Sequence, residues 1–234
     1  MSLKNLRLEL KSHYDPIRAQ HSQRFFKTAK GEYGHGDVFL GLNVPEQRKI
    51  TKKYTSLSAV EIFKLLKSKI HEERFTALIL LVHKYQNSDD KSKKDIYNQY
   101  LKNTKWINNW DLVDTSAPQI VGDYCLRHKD IKTLVRLAHS SYFWDRRIAI
   151  VATYNFIRHK NTKPTFTIAK TLLKDSHDLI HKAVGWMLRE AGKKDLPRLK
   201  SFLDIYAPHM PRTMLRYSIE KLSIKERKLY LKIK

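Results

Sequence analysis

The segment from Trp106 to Asp114, WINNWDLVD, places a carboxylate close to indole rings. On a helix, Trp106, Trp110 and Asp114 are four residues apart and share one face. A carboxylate on such an apolar stripe is costly unless something uses or satisfies it, so Asp114 is a candidate catalytic residue. The alternative is that Asp114 caps a helix or a turn and that the tryptophans are core residues. On this motif alone, that alternative is favoured.

The segment SSYFWDRRIAIVATYNFIRHK, residues 140–160, supplies a candidate arginine. Ser140 or Ser141 is predicted to cap a helix, on which Trp144 and Arg147 are neighbours three residues apart. Because a strongly apolar run follows Arg147, the guanidinium needs a partner, either a carboxylate such as Asp114 or a phosphate. A structural ion pair or a solvated arginine remains the favoured interpretation on spacing alone.

The segment HKAVGWMLREAGKKD contains Gly185 and Trp186 within an otherwise basic helix. A glycine inside a helix is about 1 kcal/mol less favourable than alanine, which points to a close approach by a neighbouring backbone or a ligand. For Gly185, helix packing is the better interpretation. Trp186 is either a core residue or a ring that stacks on sugars or bases.

Other catalytic patterns are missing from the sequence. The eleven histidines have no metal-ligand spacing, and His71, His83 and His128 have no evident carboxylate partners. No HExxH, GxSxG or Ser-His-Asp pattern occurs, and the glycines at 31–41 lack the GK[ST] of a P-loop. We therefore expect neither a metal nor a cofactor.

Helical signals run through the whole chain. Ser58 with Glu61 and Ser223 with Glu226 form capping-box patterns, and residues 72–85 carry an apolar 3–4–7 stripe. Further helix boundaries are predicted at Pro45, Pro211 and Gly192, and Pro118 is a position where a helix can be interrupted. No convincing run of alternating strand residues exists, so the predicted fold class is all-α. The glycine-dense stretch 31–41 is predicted to be an ordered loop or a short hairpin.

The composition restricts the class of partner. The 234 residues include 46 Lys and Arg against 23 Asp and Glu, a formal charge of +23 that favours polyanions. The excess positive charge is spread along the chain, with net charges of +4, +8 and +11 for residues 1–50, 51–159 and 160–234. It therefore belongs to the folded body, as a groove for a phosphate backbone requires. The single cysteine, the charged N-terminus and the short apolar runs predict a cytoplasmic protein without a membrane segment.

The spacing of three tryptophans suggests a helical repeat. Trp110, Trp144 and Trp186 are separated by 34 and 42 residues, within the range of HEAT and TPR hairpins. Stacked hairpins form a superhelical solenoid with a concave face suited to an extended partner. We predict a single domain of this kind over residues 1–234.

In the segments that contain Trp110, Arg147 and Trp186, the chain resembles the DNA alkylation repair family of AlkD-type glycosylases. The resemblance covers most of the chain, through GDVFLGLNVPEQR, WINNWDLVDTSAPQIVGDY, WDRRIAIVATYNFIR, HKAVGWMLREAGKKD and MPRTMLRYSIEKL. It implies a HEAT-like solenoid that grips duplex DNA and excises cationic N3- and N7-alkylated purines, acting as a monomer. It also implies a lesion contacted through its sugar and backbone, whereas most glycosylases flip the base into a pocket.

The resemblance assigns the site residue by residue. The family's catalytic aspartate falls on Asp114, its active-site arginine on Arg147, and its two tryptophans on Trp110 and Trp186. Because the set is intact, the resemblance implies an active enzyme. The alternative is a helical-repeat module that binds DNA or RNA without chemistry, for which charge and fold alone would suffice.

Overall fold

The computed structural model describes residues 1–232, and every regular element within them is helical. A single parallel bridge joins Val38 to Ile70 in this part of the chain. The all-α prediction is therefore confirmed. None of the helices in residues 1–232 is long and apolar enough to cross a membrane.

Backbone contacts divide the chain into two compact units, residues 1–116 and residues 117–234. In the first unit α4 and α3 pack on α5, which also contacts α6 and α1. The prediction of a single domain stays a prediction. The helices that begin in this unit are α1 (Leu3–Ser12), α2 (Pro16–Phe25), α3 (Val44–Thr51), α4 (Ala59–Leu66), α5 (His71–Gln86), α6 (Asp90–Lys102) and α7 (Trp110–Ala117).

In the second unit the packing centres on α10 and α12, which contact each other. Helix α10 also packs on α9 and α11, and α12 on α13 and α14. Helices that follow one another in the chain and pack together are what a helical-repeat architecture requires. The helices are α8 (Asp123–Arg127), α9 (Ile131–Ala138), α10 (Phe143–Arg158), α11 (Lys163–Thr171), α12 (Asp178–Gly192), α13 (Leu196–Tyr206), α14 (Arg212–Ser218) and α15 (Ile224–Lys232).

Most predicted helix boundaries are confirmed. The Ser58–Glu61 and Ser223–Glu226 pairs both form capping boxes, with each serine hydroxyl accepting from the glutamate amide and each glutamate accepting from the serine amide. Pro45 lies in the first turn of α3, and Gly192 is the last residue of α12. Local chemistry thus fixed these termini.

The interruption at Pro118 takes an unexpected form. Residues Pro118–Gly122 form one π-helical turn that joins α7 to α8, so the chain remains helical through the proline. Proline removes a backbone donor, and a π turn accommodates the missing hydrogen bond without ending the helix.

The glycine-dense stretch is a series of turns that ends in the bridge at Val38, so the loop alternative is confirmed. Gly41 shows why glycine is needed there. Its φ of +87° is disfavoured for other residues, and an added Cβ would lie 2.4 Å from the carbonyl oxygen of Asp15. The loop therefore approaches the start of α2 more closely than any side chain would allow.

Candidate functional site

Helix α7 places Trp110 and Asp114 one turn apart on the same face, and both side chains are half-buried. Trp106 does not share this face, because it belongs to a separate 3-10 helix, Thr104–Trp106, and residues 107–109 are not helical. Asp114 is the fifth residue of α7, so the interpretation of this residue as a helix cap is wrong. Asn109 stands before the helix instead, and its Oδ1 accepts from the Trp110 amide at 2.8 Å.

Trp110 is the outer member of a ring cluster that the sequence analysis did not find. Its indole stacks on Phe26 with centroids 5.3 Å apart, and Phe26 stacks on Phe39 at 5.1 Å. The imidazole of His71 lies against both phenyl rings, at 4.8 Å from Phe26 and 4.6 Å from Phe39. We call Trp110, Phe26, Phe39 and His71 the aromatic stack. Phe25, 64% exposed, packs edge-on against the same indole.

His71 has two carboxylate partners, so the prediction that it has none is wrong. Its Nε2 lies 2.8 Å from Asp111 Oδ2 and its Nδ1 lies 3.2 Å from Asp37 Oδ2. Arg74 completes the cluster by donating from Nη2 to Asp37 at 2.6 Å. Arg74 is one helical turn after His71, but Asp37 and Asp111 lie 34 and 40 residues away, which is why no spacing rule could have found these two partners.

The electrostatics of this cluster favour a charged imidazole. Burial of His71 works against protonation, but Asp111 and Asp37 outweigh it and raise the pKa of His71 to about 9. Burial likewise opposes ionisation of Asp37, yet His71 and Arg74 hold its pKa below the ordinary value. The cluster therefore contains two cations and two anions in a buried setting.

The first turn of α5 also anchors the glycine-dense loop. The Glu72 carboxylate, 2% exposed, accepts from the amides of Leu40 at 2.9 Å and Gly41 at 2.8 Å. The His71 amide donates to the Val38 carbonyl at 2.8 Å. Residues 37–41 thus carry Asp37 and Phe39 to His71, which gives this stretch a structural role.

In the second unit, α10 carries Arg147, which is only 5% exposed. Its Nη1 donates to the Leu179 carbonyl at 2.6 Å, so the solvated-arginine interpretation is wrong. Trp144, by contrast, is a core residue at 1% exposure. The predicted cap by Ser140 or Ser141 is wrong, because the N-cap residue of α10 is Tyr142 and no side chain caps this helix. The Ser140 hydroxyl accepts from the Tyr142 amide before the helix and donates to Asp145 within it.

Trp186 lies on α12, half-buried, with its ring 6.1 Å from that of Tyr154 on α10. Its neighbour Gly185 is explained by packing, as expected. A Cβ there would lie 2.5 Å from Tyr217 Cβ and 2.6 Å from the Met214 carbonyl oxygen, both on α14. Gly185 therefore allows α14 to lie directly on α12.

The four predicted site residues divide equally between the units. Trp110 and Asp114 share one helix face in the first unit, and Arg147 and Trp186 lie on two helices of the second unit that pack together. Within residues 1–232, no group of three His, Cys, Asp or Glu side chains is arranged to hold a metal ion. The catalytic roles of the four residues stay predictions.

Comparisons with known proteins identify the family. A family model described as DNA alkylation repair enzyme matches residues 6–222. Among solved structures, the fold is similar to that of a predicted DNA alkylation repair enzyme from Enterococcus faecalis, with a TM-score of 0.70. The two chains are 16% identical, and the match covers 91% of this chain and 98% of the other. No curated protein gives a significant match. The chain therefore belongs to the DNA alkylation repair enzyme family, and its role is in the repair of alkylated DNA.

Proposed function

We propose that this protein is a monofunctional DNA glycosylase that hydrolyses the N-glycosidic bond of cationic N3- and N7-alkylated purines in duplex DNA. The substrates are of the 3-methyladenine and 7-methylguanine type. The observation that carries the proposal is Asp114, a half-buried carboxylate one helical turn from the half-buried indole of Trp110, in a chain of net charge +23. A polyanion-binding protein has little use for a carboxylate next to an aromatic face unless that carboxylate meets a positive charge.

The reaction supplies such a charge. When the C1′–N bond of an alkylated purine breaks, the electron pair goes to the purine, which leaves as a neutral base without needing a general acid. The sugar is left with oxocarbenium character, and a nearby carboxylate stabilises that cation. Water then bonds to C1′ and loses its proton to Asp114 or to solvent, which leaves an abasic site. Asp114 is thus proposed to stabilise the sugar cation and to orient or deprotonate the water.

The other three residues are proposed to position the substrate. The indole faces of Trp110 and Trp186 would pack on deoxyribose and attract the cationic lesion. Arg147 would hold a phosphate or the attacking water, since a guanidinium with five donors binds oxyanions in a fixed geometry. Its Nη1 is already directed at the Leu179 carbonyl, which pre-orients the planar group.

The proposal is tested by measuring base release from methylated duplex DNA by wild type and Asp114→Asn. We expect at least about a 100-fold loss of release, the usual effect of removing a group that stabilises transition-state charge. DNA binding should persist or strengthen, because a negative charge has been removed. Asp95→Asn is the matched control, since Asp95 is an exposed carboxylate on α6 of the same unit.

Each result of this comparison has a distinct meaning. Equal release by wild type and Asp114→Asn would contradict the proposed mechanism. DNA binding by wild type with no release of either base would favour the second candidate function, a helical-repeat module that binds nucleic acid through its positive charge alone.

A further inference from the structure

His71 is held on three sides by groups that differ in sequence position but meet in the first unit. Asp111, from the first turn of α7, contacts Nε2, and Asp37, from the loop before α3, contacts Nδ1. The Phe26 and Phe39 rings lie against the imidazole. The imidazole is buried, with 3% of the side chain exposed, so water does not compete for these contacts.

The geometry determines the charge of this ring. A neutral imidazole has one N–H, whereas both nitrogens of His71 face carboxylate oxygens. Two donors are needed, and only the imidazolium provides them. Arg74 also faces His71, with Nη2 at 3.5 Å from Nδ1, and it donates to the same Asp37 oxygen. The cluster of two cations and two anions is therefore neutral.

His71 acts on α7 by two routes. Asp111 follows Trp110 directly, and its other oxygen accepts from the Leu112 amide at 2.9 Å, so the carboxylate ties His71 to the backbone of the first turn. The second route runs through the rings, because Phe26 stacks on both His71 and Trp110. Charge and ring packing thus restrain the same turn.

We propose that His71, as an imidazolium clamped between Asp37 and Asp111, is a positioning residue that fixes the first turn of α7 and so presents Trp110 and Asp114 to the substrate. This inference rests on the proposed glycosylase function. His71 does not contact the lesion in this role. Loss of its charge would leave a single N–H for the two carboxylates and so weaken the hold on the turn that carries the indole.

The first test compares single-turnover base release by wild type and His71→Gln, each at saturating enzyme, from pH 6 to pH 10. A misplacement of about 1 Å lowers rates by up to about 100-fold, so we expect a ratio of about 10 to 100 at pH 7. The ratio should fall towards one above pH 9, where wild type also loses the imidazolium. Titration of the substrate cancels in this ratio. A ratio that is one at pH 7, or that stays constant with pH, would overturn the proposal.

The matched control is Glu73→Gln. Glu73 is as buried as His71 and belongs to the same turn of α5, but its carboxylate binds Arg7 of α1 at 3.1 Å and is not one of the groups that hold His71. We expect this variant to be destabilised yet to keep the single-turnover rate of wild type at saturation. A rate loss as large as that of His71→Gln would assign both effects to general loosening of the fold.

The second test needs no substrate and no variant of His71. We expect the indole N–H resonance of Trp110, identified by its loss in Trp110→Phe, to shift along the same pH curve as the imidazole resonances of His71. A Trp110 resonance that does not follow the His71 titration would contradict the link. If wild type releases no base at all, the proposed function fails, and this measurement alone decides whether His71 positions Trp110.

Discussion

The starts of α5 and α10 are built alike, yet they differ at the positions where the candidate functional residues lie. Both helices have 16 residues, and each follows a serine that organises the turn before it. Ser68 Oγ accepts from the Ile70 amide at 3.0 Å, and Ser140 Oγ accepts from the Tyr142 amide at 3.1 Å. The two serines are 72 residues apart, as are the arginines that follow them, Arg74 and Arg146.

The two arginines make the same kind of contact. Arg74 Nη1 donates to the Ser68 and Lys69 carbonyls, and Arg146 Nη1 donates to those of Ser140 and Ser141. Each guanidinium also binds a buried aspartate at 2.6 Å, Asp37 for Arg74 and Asp175 for Arg146. This shared arrangement fastens the helix start to the loop before it.

The rings at the two helix starts are exchanged. At the start of α5, the histidine (His71) belongs to the helix and the phenylalanine (Phe39) belongs to the loop. At the start of α10, the phenylalanine (Phe143) belongs to the helix and stacks at 4.2 Å on the histidine of the loop, His177. His177 accepts from the Leu179 amide through Nδ1, and burial lowers its pKa. One histidine is therefore held charged and the other neutral, because both ring nitrogens of His71 contact carboxylates, whereas at His177 burial outweighs the attraction of Asp175 and Asp178.

The residue after each shared arginine differs as well. Phe75 is a core residue at 2% exposure, while its counterpart Arg147 is a buried cation. The same contacts at the helix start are thus followed by an apolar core residue in the first unit and by a candidate phosphate or water ligand in the second. The shared contacts secure the helix start, and the residue that follows the arginine differs between the two helices.

The largest expected effect on stability comes from replacing Arg74, and it should exceed the effect of replacing Arg146. The side chain of Arg74 is 3% exposed and that of Arg146 is 18% exposed. Breaking a buried ion pair costs about 3 to 5 kcal/mol, so Arg74→Ala should lower the free energy of unfolding by that amount. Arg146→Ala should cost about half as much, because water reaches this site. Urea denaturation measures both, and equal losses would contradict the difference in burial.

The two histidines should give opposite pH dependences. The folded-state pKa of His71 lies above the ordinary 6.5. Its contribution to the free energy of unfolding is therefore complete below pH 6.5 and is lost as the pH rises to about 9. The raised pKa of His71 corresponds to a loss in the free energy of unfolding on the order of 3 kcal/mol over this pH range. The folded-state pKa of His177 is lowered, so its contribution is present above pH 6.5 and is lost as the pH falls.

Denaturation from pH 5 to pH 9.5 checks this prediction. Subtracting the curve of His71→Gln from that of wild type should give a difference that falls with rising pH, and the same subtraction for His177→Gln should give one that rises. Two differences of the same sign would show that the histidines are not held in opposite charge states.

The smallest expected effect concerns the serines. Ser68→Ala should cost about 1 kcal/mol, as the loss of a helix-capping hydrogen bond usually does. Ser140→Ala should cost somewhat more, since its hydroxyl also donates to the half-buried Asp145 at 2.8 Å. Thermal unfolding of the two variants compares them directly. A larger loss at Ser68 would contradict the added role of the Asp145 contact.

Local features of the fold were predictable because they depend on neighbouring residues. The capping boxes at Ser58 and Ser223 follow from requirements of the helix itself. The shared helix face of Trp110 and Asp114 was also predicted correctly, because residues four apart lie about one helical turn from each other. Trp106 was misplaced, since spacing alone does not reveal where α7 begins.

The cluster around His71 was not predictable from spacing. Asp37 and Asp111 lie 34 and 40 residues away from His71, and nothing in their local sequence marks them as its partners. The stretch HEER also lacks a helical stripe, because residues 71–74 are all buried and each contacts a different part of the unit.

The sequence by itself determined the all-α class, most of the predicted helix boundaries, a charge of +23 that favours polyanions, and the helix face that carries Asp114. These depend on composition and on contacts within one or two turns. The tertiary structure alone decided which histidine is charged, which arginine is buried and what holds the first turn of α7. Those properties depend on the distance between side chains remote in the chain and on the exclusion of water, and neither exists until the helices pack.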